Sequence, residues 1–180
     1  MATSKTPVPA AAVRPDYWED ACKHLTRKDR VMKRLIAQSD GACLQTRGDA
    51  FTTLARSIVG QQISVKAAQT VWDRFVLLPR RMLPANVLKL KVDDMRAAGL
   101  SARKVEYLVD LSLHFSNGSI QVGAWESMDD DSIIAELVAI RGIGRWTAEM
   151  FLIFHLMRPN VLPLDDVGLI NGISRNYFSG

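Results

Sequence analysis

The sequence has few cysteines and no long apolar run. Only Cys22 and Cys43 occur among its 180 residues. Two isolated cysteines are too few for a zinc or iron–sulfur framework, and a secreted disulfide scaffold normally carries more. No apolar stretch reaches the roughly 18 residues that a membrane-spanning helix needs. The sequence therefore favours a reducing, intracellular compartment and predicts no transmembrane helix.

Strand patterns are lacking as well. No segment shows a sustained alternation of apolar and polar residues bounded by turns. Apolar residues instead recur at three- and four-residue steps, as in residues 65–75, and Asp49, Ser64 and Ser101 stand where helix N-caps are expected. The predicted fold class is all-α.

Charge gives only a weak indication of the partner. Lys and Arg outnumber Asp and Glu by 23 to 19, which gives a formal charge of +4 and a pI near 9.3. Such a balance is compatible with a polyanionic partner, but many basic proteins bind nothing anionic. The motifs must therefore identify the function.

Two glycines flank one apolar residue in the segment RGIG, between two predicted amphipathic helices whose apolar stripes include Val138 and Phe154. Gly142 and Gly144 allow a tight turn and a close approach of the backbone to a partner. The start of the second helix, with a neighbouring arginine, adds positive charge that can bind a phosphate without reading a base. Ile143 is expected to point back between the helices as an apolar plug. A purely structural turn between two helices is the alternative.

An aspartate pair, Asp165 and Asp166, precedes the last predicted helix. This position favours the ionised carboxylate, because the helix dipole and the free amides stabilise negative charge. Capping of the helix is the alternative role, and the two roles are compatible.

Four sequence segments follow one another between residues 49 and 170: SIVGQQISVKAA, GLSARKVEYL, IRGIGRWTA and VLPLDDVGLI. Together they resemble, in order, the signatures of DNA glycosylases of the 3-methyladenine glycosylase II type, within the endonuclease III superfamily. The resemblance implies two helical lobes with a DNA-binding cleft and a helix-hairpin-helix motif. It also implies excision of alkylated purines such as 3-methyladenine and 7-methylguanine from double-stranded DNA with damaged bases. We expect a monomer located in the cytoplasm or the nucleoid.

The implied chemistry removes a base from its sugar, so the nucleotide must leave the duplex and a cationic sugar must be stabilised. In the family pattern the second acid of the pair is the catalytic aspartate, which assigns catalysis to Asp166 and local structure to Asp165. Relatives that also nick the strand carry a lysine just after the hairpin, where this chain has Trp146. The resemblance therefore implies a monofunctional glycosylase without lyase activity.

Trp146 and Met150 are expected to line the base pocket. An aromatic face can stack on a positively charged alkylated purine, whereas the thioether of Met150 is apolar and adaptable but stacks less specifically. Packing of Trp146 as a core residue at the interface between the lobes is the alternative. In the loop GQQIS, Gln62 matches the family's wedge position, which fills the gap left by the flipped base. A polar turn between helices is the alternative there.

The expected DNA-binding residues belong to the hairpin and to the GQQIS loop: Gly142, Ile143, Gly144, Arg145, Thr147, Gln61 and Gln62. The resemblance implies no cofactor, but the carbonyls of Val138, Ile140 and Ile143 are candidate ligands of a structural Na⁺ or K⁺ ion. Lys104 is interpreted as a solvated or phosphate-facing charge, and His155 as a packed or surface residue.

Four segments are expected along the chain: a flexible tail over residues 1–15, N-terminal helices of the terminal lobe over 16–48, a helical lobe over 49–164 with the hairpin at 141–145, and the start of the catalytic helix with a truncated C-terminal part over 165–180. The alternative functions are a non-catalytic helix-hairpin-helix DNA-binding protein and a glycosylase for other damaged or mismatched bases.

Overall fold

The structure is a computed structural model, and it describes residues 14–46 and 48–178. Most of the predicted tail, residues 1–15, lies outside the described residues, as do the last two residues of the segment 165–180. The described ranges contain helices and turns but no strand, which confirms the all-α class. Within the same ranges, no helix combines the length and the apolar character needed to cross a membrane.

The helices follow one another with short connections, and a 3₁₀ turn at Val122–Ala124 precedes α8. In chain order they are α1 (Trp18–Lys28), α2 (Arg30–Gln38), α3 (Ala50–Gly60), α4 (Val65–Phe75), α5 (Pro84–Val87), α6 (Val92–Ala97), α7 (Ala102–Ser116), α8 (Asp130–Val138), α9 (Arg145–Phe154) and α10 (Val167–Tyr177). The chain divides into two compact units, the first ending at Gly48 and the second beginning at Asp49.

The first unit contains the helix pair α1 and α2. Asp29 separates the two helices and caps α2, because its carboxylate accepts hydrogen bonds from the amides of Val31 and Met32 at 2.7 and 2.8 Å. No residue of either helix is fully buried. An apolar groove of about 340 Å³ is lined by residues that include Trp18, Cys22, Leu35, Ile36 and Cys43.

The second unit has its core around α3, which packs against α4, α7 and α9. Six residues of α3 are buried on the faces that these helices cover: Ala50, Phe51, Leu54, Ala55, Ile58 and Val59. Other large, fully buried side chains of this core come from later helices and turns, among them Phe75, Leu108, Trp125, Leu137 and Leu152. The end of α3 and the hairpin after α8 are therefore positioned by one continuous apolar core.

Local capping explains where several helices begin. The side chains of Asp49, Ser64 and Ser101 each accept a hydrogen bond from the amide three residues later, at 2.9, 3.3 and 3.3 Å. These residues are the predicted N-caps of α3, α4 and α7, and the structure confirms them. Such caps satisfy amides that have no acceptor within the helix.

Two positions of the predicted apolar stripes are exposed. Val138 is the last residue of α8 and Phe154 the last of α9, and they are 42% and 55% exposed. Both residues end their helices, so the apolar stripe continues along the helix one position further than the buried side chains do.

Candidate active site and nucleic-acid interface

The hairpin between α8 and α9 requires a glycine at position 142. Gly142 has a φ of +86°, and a Cβ atom there would overlap the ring of Tyr107. The backbone conformation and the packing against the Tyr107 ring therefore both disfavour any side chain. Ile143 is buried beneath the turn, as expected of an apolar plug.

Gly144 has a different role, because it leaves the start of α9 open. It is the N-cap of α9 and provides no side-chain cap, and a Cβ atom on it would meet nothing within 4 Å. The first amides of a helix lack acceptors within the helix and carry the positive end of the helix dipole. An anionic oxygen can therefore approach the amides at this end of α9.

The loop between α3 and α4 is hydrogen-bonded to the hairpin. Gln61 donates from Nε2 to the carbonyl oxygen of Gly142 at 2.8 Å, across 81 residues of sequence. Gln62, the next residue, is exposed and has a φ of +57°. The two glutamines thus differ: Gln61 joins the loop to the hairpin, whereas Gln62 is open to solvent.

Lys104, in the first turn of α7, contacts the end of α3. Its Nζ donates a hydrogen bond of 2.8 Å to the carbonyl oxygen of Val59, and burial lowers the pKa of its ammonium group. The sequence favours a solvated or phosphate-facing charge at this position; the structure adds that the ammonium group of Lys104, while lining the groove, also donates to a carbonyl at the C-terminal end of α3.

A groove of about 700 Å³ lies between the hairpin, the α3–α4 loop and the start of α7. Three basic residues, Arg56, Arg103 and Lys104, are among the described residues that line it, and no acidic residue is. The remaining lining residues are Ser57, Gly60, Gln61, Gln62, Ser101, Tyr107, Gly142, Gly144, Trp146 and Thr147. All the charged side chains of the lining are thus basic, as contact with a phosphate backbone requires.

Asp166 caps α10 and is held through both carboxylate oxygens. Oδ1 accepts a hydrogen bond from the amide of Leu169 at 2.7 Å, and Oδ2 accepts one from Nε1 of Trp146 at 2.9 Å. The Leu169 amide and, after it, the Trp146 indole stabilise the anion and lower the pKa of Asp166. Asp166 is therefore an ionised carboxylate with a fixed orientation.

The structure distinguishes the two members of the aspartate pair. Asp165 is exposed, whereas Asp166 makes the capping bond and the bond to the indole. Gly168 lies close to the carboxylate, since a Cβ atom on it would be 3.1 Å from Oδ1 of Asp166. A side chain at position 168 would therefore press against the capping oxygen.

Trp146 connects this carboxylate with the groove. It is 47% exposed, lines the groove and donates its indole N–H to Asp166, so among the described residues it is not a buried core residue. Thr147 is buried and also lines the groove, and Met150 lies one turn after Trp146 on α9, partly buried. Of the two expected pocket residues, Trp146 therefore lines the groove and Met150 does not.

Four of the expected site residues do not line the groove: Ile143, Arg145, Met150 and Asp166. Arg145 is bonded elsewhere. Its Nε donates to Oε1 of Glu149 at 3.0 Å, and its guanidinium group lies 3.5 Å from Oδ1 of Asp131. These residues line a separate, acidic depression of about 300 Å³. In this structure Arg145 therefore pairs with the carboxylates of α8 and α9.

The three carbonyls proposed for a monovalent cation lie at the end of α8 and in the hairpin. Val138 ends α8, so no amide of the same helix donates a hydrogen bond to its carbonyl oxygen. The carbonyl of Ile140 accepts a hydrogen bond from the amide of Ile143 at 3.1 Å and keeps a second lone pair. Carbonyl oxygens are the type of ligand that hard cations prefer.

His155, at the end of α9, is a packed residue. Its ring stacks on Phe151 with centroids 4.5 Å apart, and Nδ1 lies 3.3 Å from Oγ1 of Thr53. Burial lowers the pKa of His155, and the nearby charge of Asp49 opposes this shift. This contact joins α9 to α3 and lies apart from the groove.

Sequence reasoning missed the residues of α7 that support the hairpin. Asp110 accepts the amide of Arg141 through Oδ2 at 2.8 Å, and Glu106 lies 3.2 Å from the Arg141 guanidinium group. Tyr107 packs under Gly142. The signal available was their helical spacing in the segment GLSARKVEYLVD, but no local pattern indicates which loop they would meet.

Comparison with known proteins identifies the family. The family described as HhH-GPD superfamily base excision DNA repair protein matches residues 55–180. The Bacillus subtilis protein YfjP is 30% identical over 89% of this chain, and the chain spans 59% of the length of that protein.

Two solved structures are similar as well. The DNA-3-methyladenine glycosidase of Bacillus halodurans has a TM-score of 0.79 and 33% identity, with 93% of this chain and 77% of the other covered. The 3-methyladenine DNA glycosylase of Schizosaccharomyces pombe, in complex with abasic DNA, has a TM-score of 0.72 and 32% identity, with 86% and 79% covered. On the family match and these similarities, the chain belongs to the HhH-GPD superfamily of base excision DNA repair proteins.

Proposed function

We propose that this chain binds double-stranded DNA and excises alkylated purines as a monofunctional glycosylase of the 3-methyladenine glycosylase II type. The observation that carries the proposal is the Asp166 carboxylate, held by the Leu169 amide and by the Trp146 indole one residue after the start of α9. Both solved structures of similar fold are named for 3-methyladenine, which supports this choice of base. All the residues invoked come from one chain, so the proposal needs no second subunit.

DNA binding is assigned to the hairpin and the groove beside it. The amides at the open start of α9, next to Gly144, would receive a phosphate, while the basic lining of the groove would attract the backbone. Gln62 would fill the gap left by the flipped nucleotide, because it is the exposed residue of a loop that Gln61 fixes to Gly142. Arg145 would reach a phosphate only after leaving its carboxylate partners, Glu149 among them.

Asp166 would supply the charge that the reaction needs. Breaking the bond between base and C1′ of the sugar leaves positive charge on the sugar, which a fixed carboxylate stabilises. A water molecule then adds its oxygen to C1′ and loses a proton, for which Asp166 is the acceptor. An alkylated purine such as 7-methylguanine carries positive charge and departs as a neutral base, so no general acid is required.

Base selection is assigned to Trp146 and Met150. A tryptophan ring attracts a cationic purine by cation–π interaction, worth about 0.5–2 kcal/mol depending on desolvation. The hydrogen bond to Asp166 fixes the indole, which keeps the ring available as a rigid stacking surface. A pocket of this type selects by charge and leaving ability, and would accept several alkylated bases.

Strand nicking is not part of the proposal. A lyase needs an amine to form a Schiff base with the sugar, and Trp146 occupies the position where related enzymes carry that lysine. The amine of Lys104 is bonded to the carbonyl of Val59. The expected product is an abasic site in an intact strand.

A monovalent cation at the hairpin is a further part of the proposal. The carbonyls of Val138, Ile140 and Ile143 would hold it, and its charge would add to the attraction between the hairpin and a phosphate. Affinity for abasic DNA should then be higher in K⁺ or Na⁺ than in tetramethylammonium at equal ionic strength, and equal affinities would contradict the cation site.

The catalytic assignment is tested by exchanging each aspartate of the pair. Asp166→Asn keeps the side chain's size and a capping oxygen but removes the charge, so we expect loss of base release with retained binding to abasic DNA. Asp165→Asn is the matched control and should release bases nearly as fast as the unaltered chain. Normal turnover by Asp166→Asn, or an equal loss in both variants, would refute the assignment.

A further inference from the structure

One stripe of α7 contacts the hairpin and the end of α3, which precedes the other loop that the proposed function assigns to DNA. Lys104, Tyr107 and Asp110 are spaced three residues apart and therefore lie on one side of the helix. Lys104 bonds to the carbonyl of Val59 at the end of α3, Tyr107 packs under Gly142, and Asp110 accepts the amide of Arg141. The stripe spans about 9 Å along the helix axis, at 1.5 Å per residue.

The contacts form a closed ring. From Val59 the chain runs to Gln61, whose side chain donates to the carbonyl of Gly142, and Gly142 in turn rests on Tyr107. Lys104 closes the ring by joining α7 back to Val59. The loop that carries Gln62 is thus bonded to the hairpin, and the end of α3 that precedes it is bonded to α7.

The bond from Lys104 to Val59 is the charge-assisted hydrogen bond of this ring. A hydrogen bond from an ammonium group is stronger than one between neutral groups, and a cation at the C-terminal end of a helix is favoured by the helix dipole. The neighbouring Arg103 lines the same groove but is exposed. Two adjacent basic residues of one groove therefore have different environments, one bonded to the protein and one facing solvent.

We propose that Lys104 is a positioning residue for DNA binding, which fixes the Gln62 loop against the hairpin through Val59 and Gln61 and makes no contact with phosphate. This proposal rests on the proposed DNA glycosylase function. Loss of the Lys104 bond would remove one polar contact at the end of α3, and the Gln62 loop that follows would be less ordered before DNA binds.

The salt dependence of binding separates positioning from phosphate contact. Each phosphate that a variant no longer neutralises reduces the steepness of log K against log salt concentration by about 0.9. The probe is a duplex with a tetrahydrofuran abasic-site analogue, titrated over a salt series. We expect Lys104→Met to bind about tenfold more weakly, as for the removal of one charged hydrogen bond, with an unchanged slope. Lys104→Arg, which keeps a donor, should recover part of the affinity.

Arg103→Met is the matched control. It removes a charge from the same groove but leaves the contacts of the ring in place. We therefore expect a shallower slope of log K against log salt concentration, and unchanged protection of the hairpin and loop amides from hydrogen exchange. A shallower slope in Lys104→Met, or an affinity equal to that of the unaltered chain, would overturn the positioning role.

Amide hydrogen exchange measures the ring without DNA. Exchange at Gln62 and in the hairpin around Gly142 should be faster in Lys104→Met than in the unaltered chain, and unchanged in Arg103→Met. Unchanged exchange in Lys104→Met with normal DNA binding by the unaltered chain would remove the positioning role alone. Absence of DNA binding by the unaltered chain would instead remove the proposed function and, with it, any role of Lys104 in DNA binding.

Discussion

At the scale of single residues, the central feature is a carboxylate that is ionised and is oriented by two hydrogen bonds. Asp166 receives one donor from its own helix, the Leu169 amide, and one from α9, the Trp146 indole. A carboxylate that stabilises a cationic sugar must remain charged and oriented while the base departs. The same two donors serve both requirements.

The indole donor predicts a change in pH dependence. The pKa of Asp166 is lowered, so the charged form persists as the pH falls below the ordinary range of an aspartate. Trp146→Phe keeps an aromatic ring but removes one donor. The acid limb of base release should therefore move to higher pH in this variant, measured as single-turnover rate against pH. An acid limb at the same pH as in the unaltered chain would show that the hydrogen bond does not stabilise the anion.

At the scale of secondary-structure elements, the hairpin divides structural and binding roles between its two glycines. Gly142 is required by its positive φ and by contact with Tyr107, whereas Gly144 meets nothing within 4 Å. The open side of Gly144 lies at the start of α9, where we place a phosphate. An alanine substitution at Gly142 should therefore mainly lower stability, whereas one at Gly144 should mainly lower the affinity for DNA.

Gly142→Ala is expected to lower the free energy of unfolding by about 2 kcal/mol or more, from backbone strain and overpacking. Gly144→Ala should cost less than about 1 kcal/mol, because only the quality of the N-cap changes. Its affinity for abasic DNA should nevertheless fall roughly tenfold, as for the removal of one charged hydrogen bond. Urea unfolding and DNA titration measure the two effects, and equal decreases of stability in both variants would contradict this division.

The contact between α9 and α3 predicts a dependence of stability on pH. Burial lowers the pKa of His155, so between its ordinary value of about 6.5 and its lowered value the unfolded chain binds the proton more readily than the folded one. Stability contributed by neutral His155 is therefore present above about pH 6.5 and declines as the pH falls. Urea unfolding of His155→Gln at several pH values should lack this part of the pH dependence. If the free energy of unfolding changes with pH as steeply as in the unaltered chain, the dependence arises from other groups.

Local signals predicted the elements better than the contacts between them. Asp49, Ser64 and Ser101 were identified as caps because an N-cap bonds only three residues ahead. The bonds from Lys104 to Val59 and from Gln61 to Gly142 span 45 and 81 residues, so no local pattern encodes them. The hairpin and the acid pair were thus available from the sequence, whereas the ring that connects the two loops required the fold.

At the scale of the whole molecule, the proposed functional residues belong to the unit that begins at Asp49. Within that unit, α10 has no buried residue, and its apolar side chains Val167, Ile170 and Ile173 are at least 40% exposed. The helix that Asp166 caps is therefore supported less by the core than α3 or α7. The bonds of Asp166 to Leu169 and Trp146 are accordingly important for keeping the carboxylate beside α9.

The charge of the whole chain determines how DNA binding depends on salt. The chain carries a formal charge of +4, and its basic groove residues lie beside the hairpin. Binding to duplex DNA should weaken as salt rises, as it does for any protein that neutralises phosphates. A glycosylase and a non-catalytic DNA-binding module share this behaviour, so only the chemistry separates them.

The most direct measurement is the release of free bases from methylated double-stranded DNA by this chain, with Asp166→Asn as the catalytic control. We predict that 3-methyladenine and 7-methylguanine appear in solution, and that the DNA strand stays intact until alkali cleaves the abasic sites. Binding without release would leave a DNA-binding module. Release of only oxidised or mismatched bases, or release that Asp166→Asn performs equally well, would contradict the proposed function.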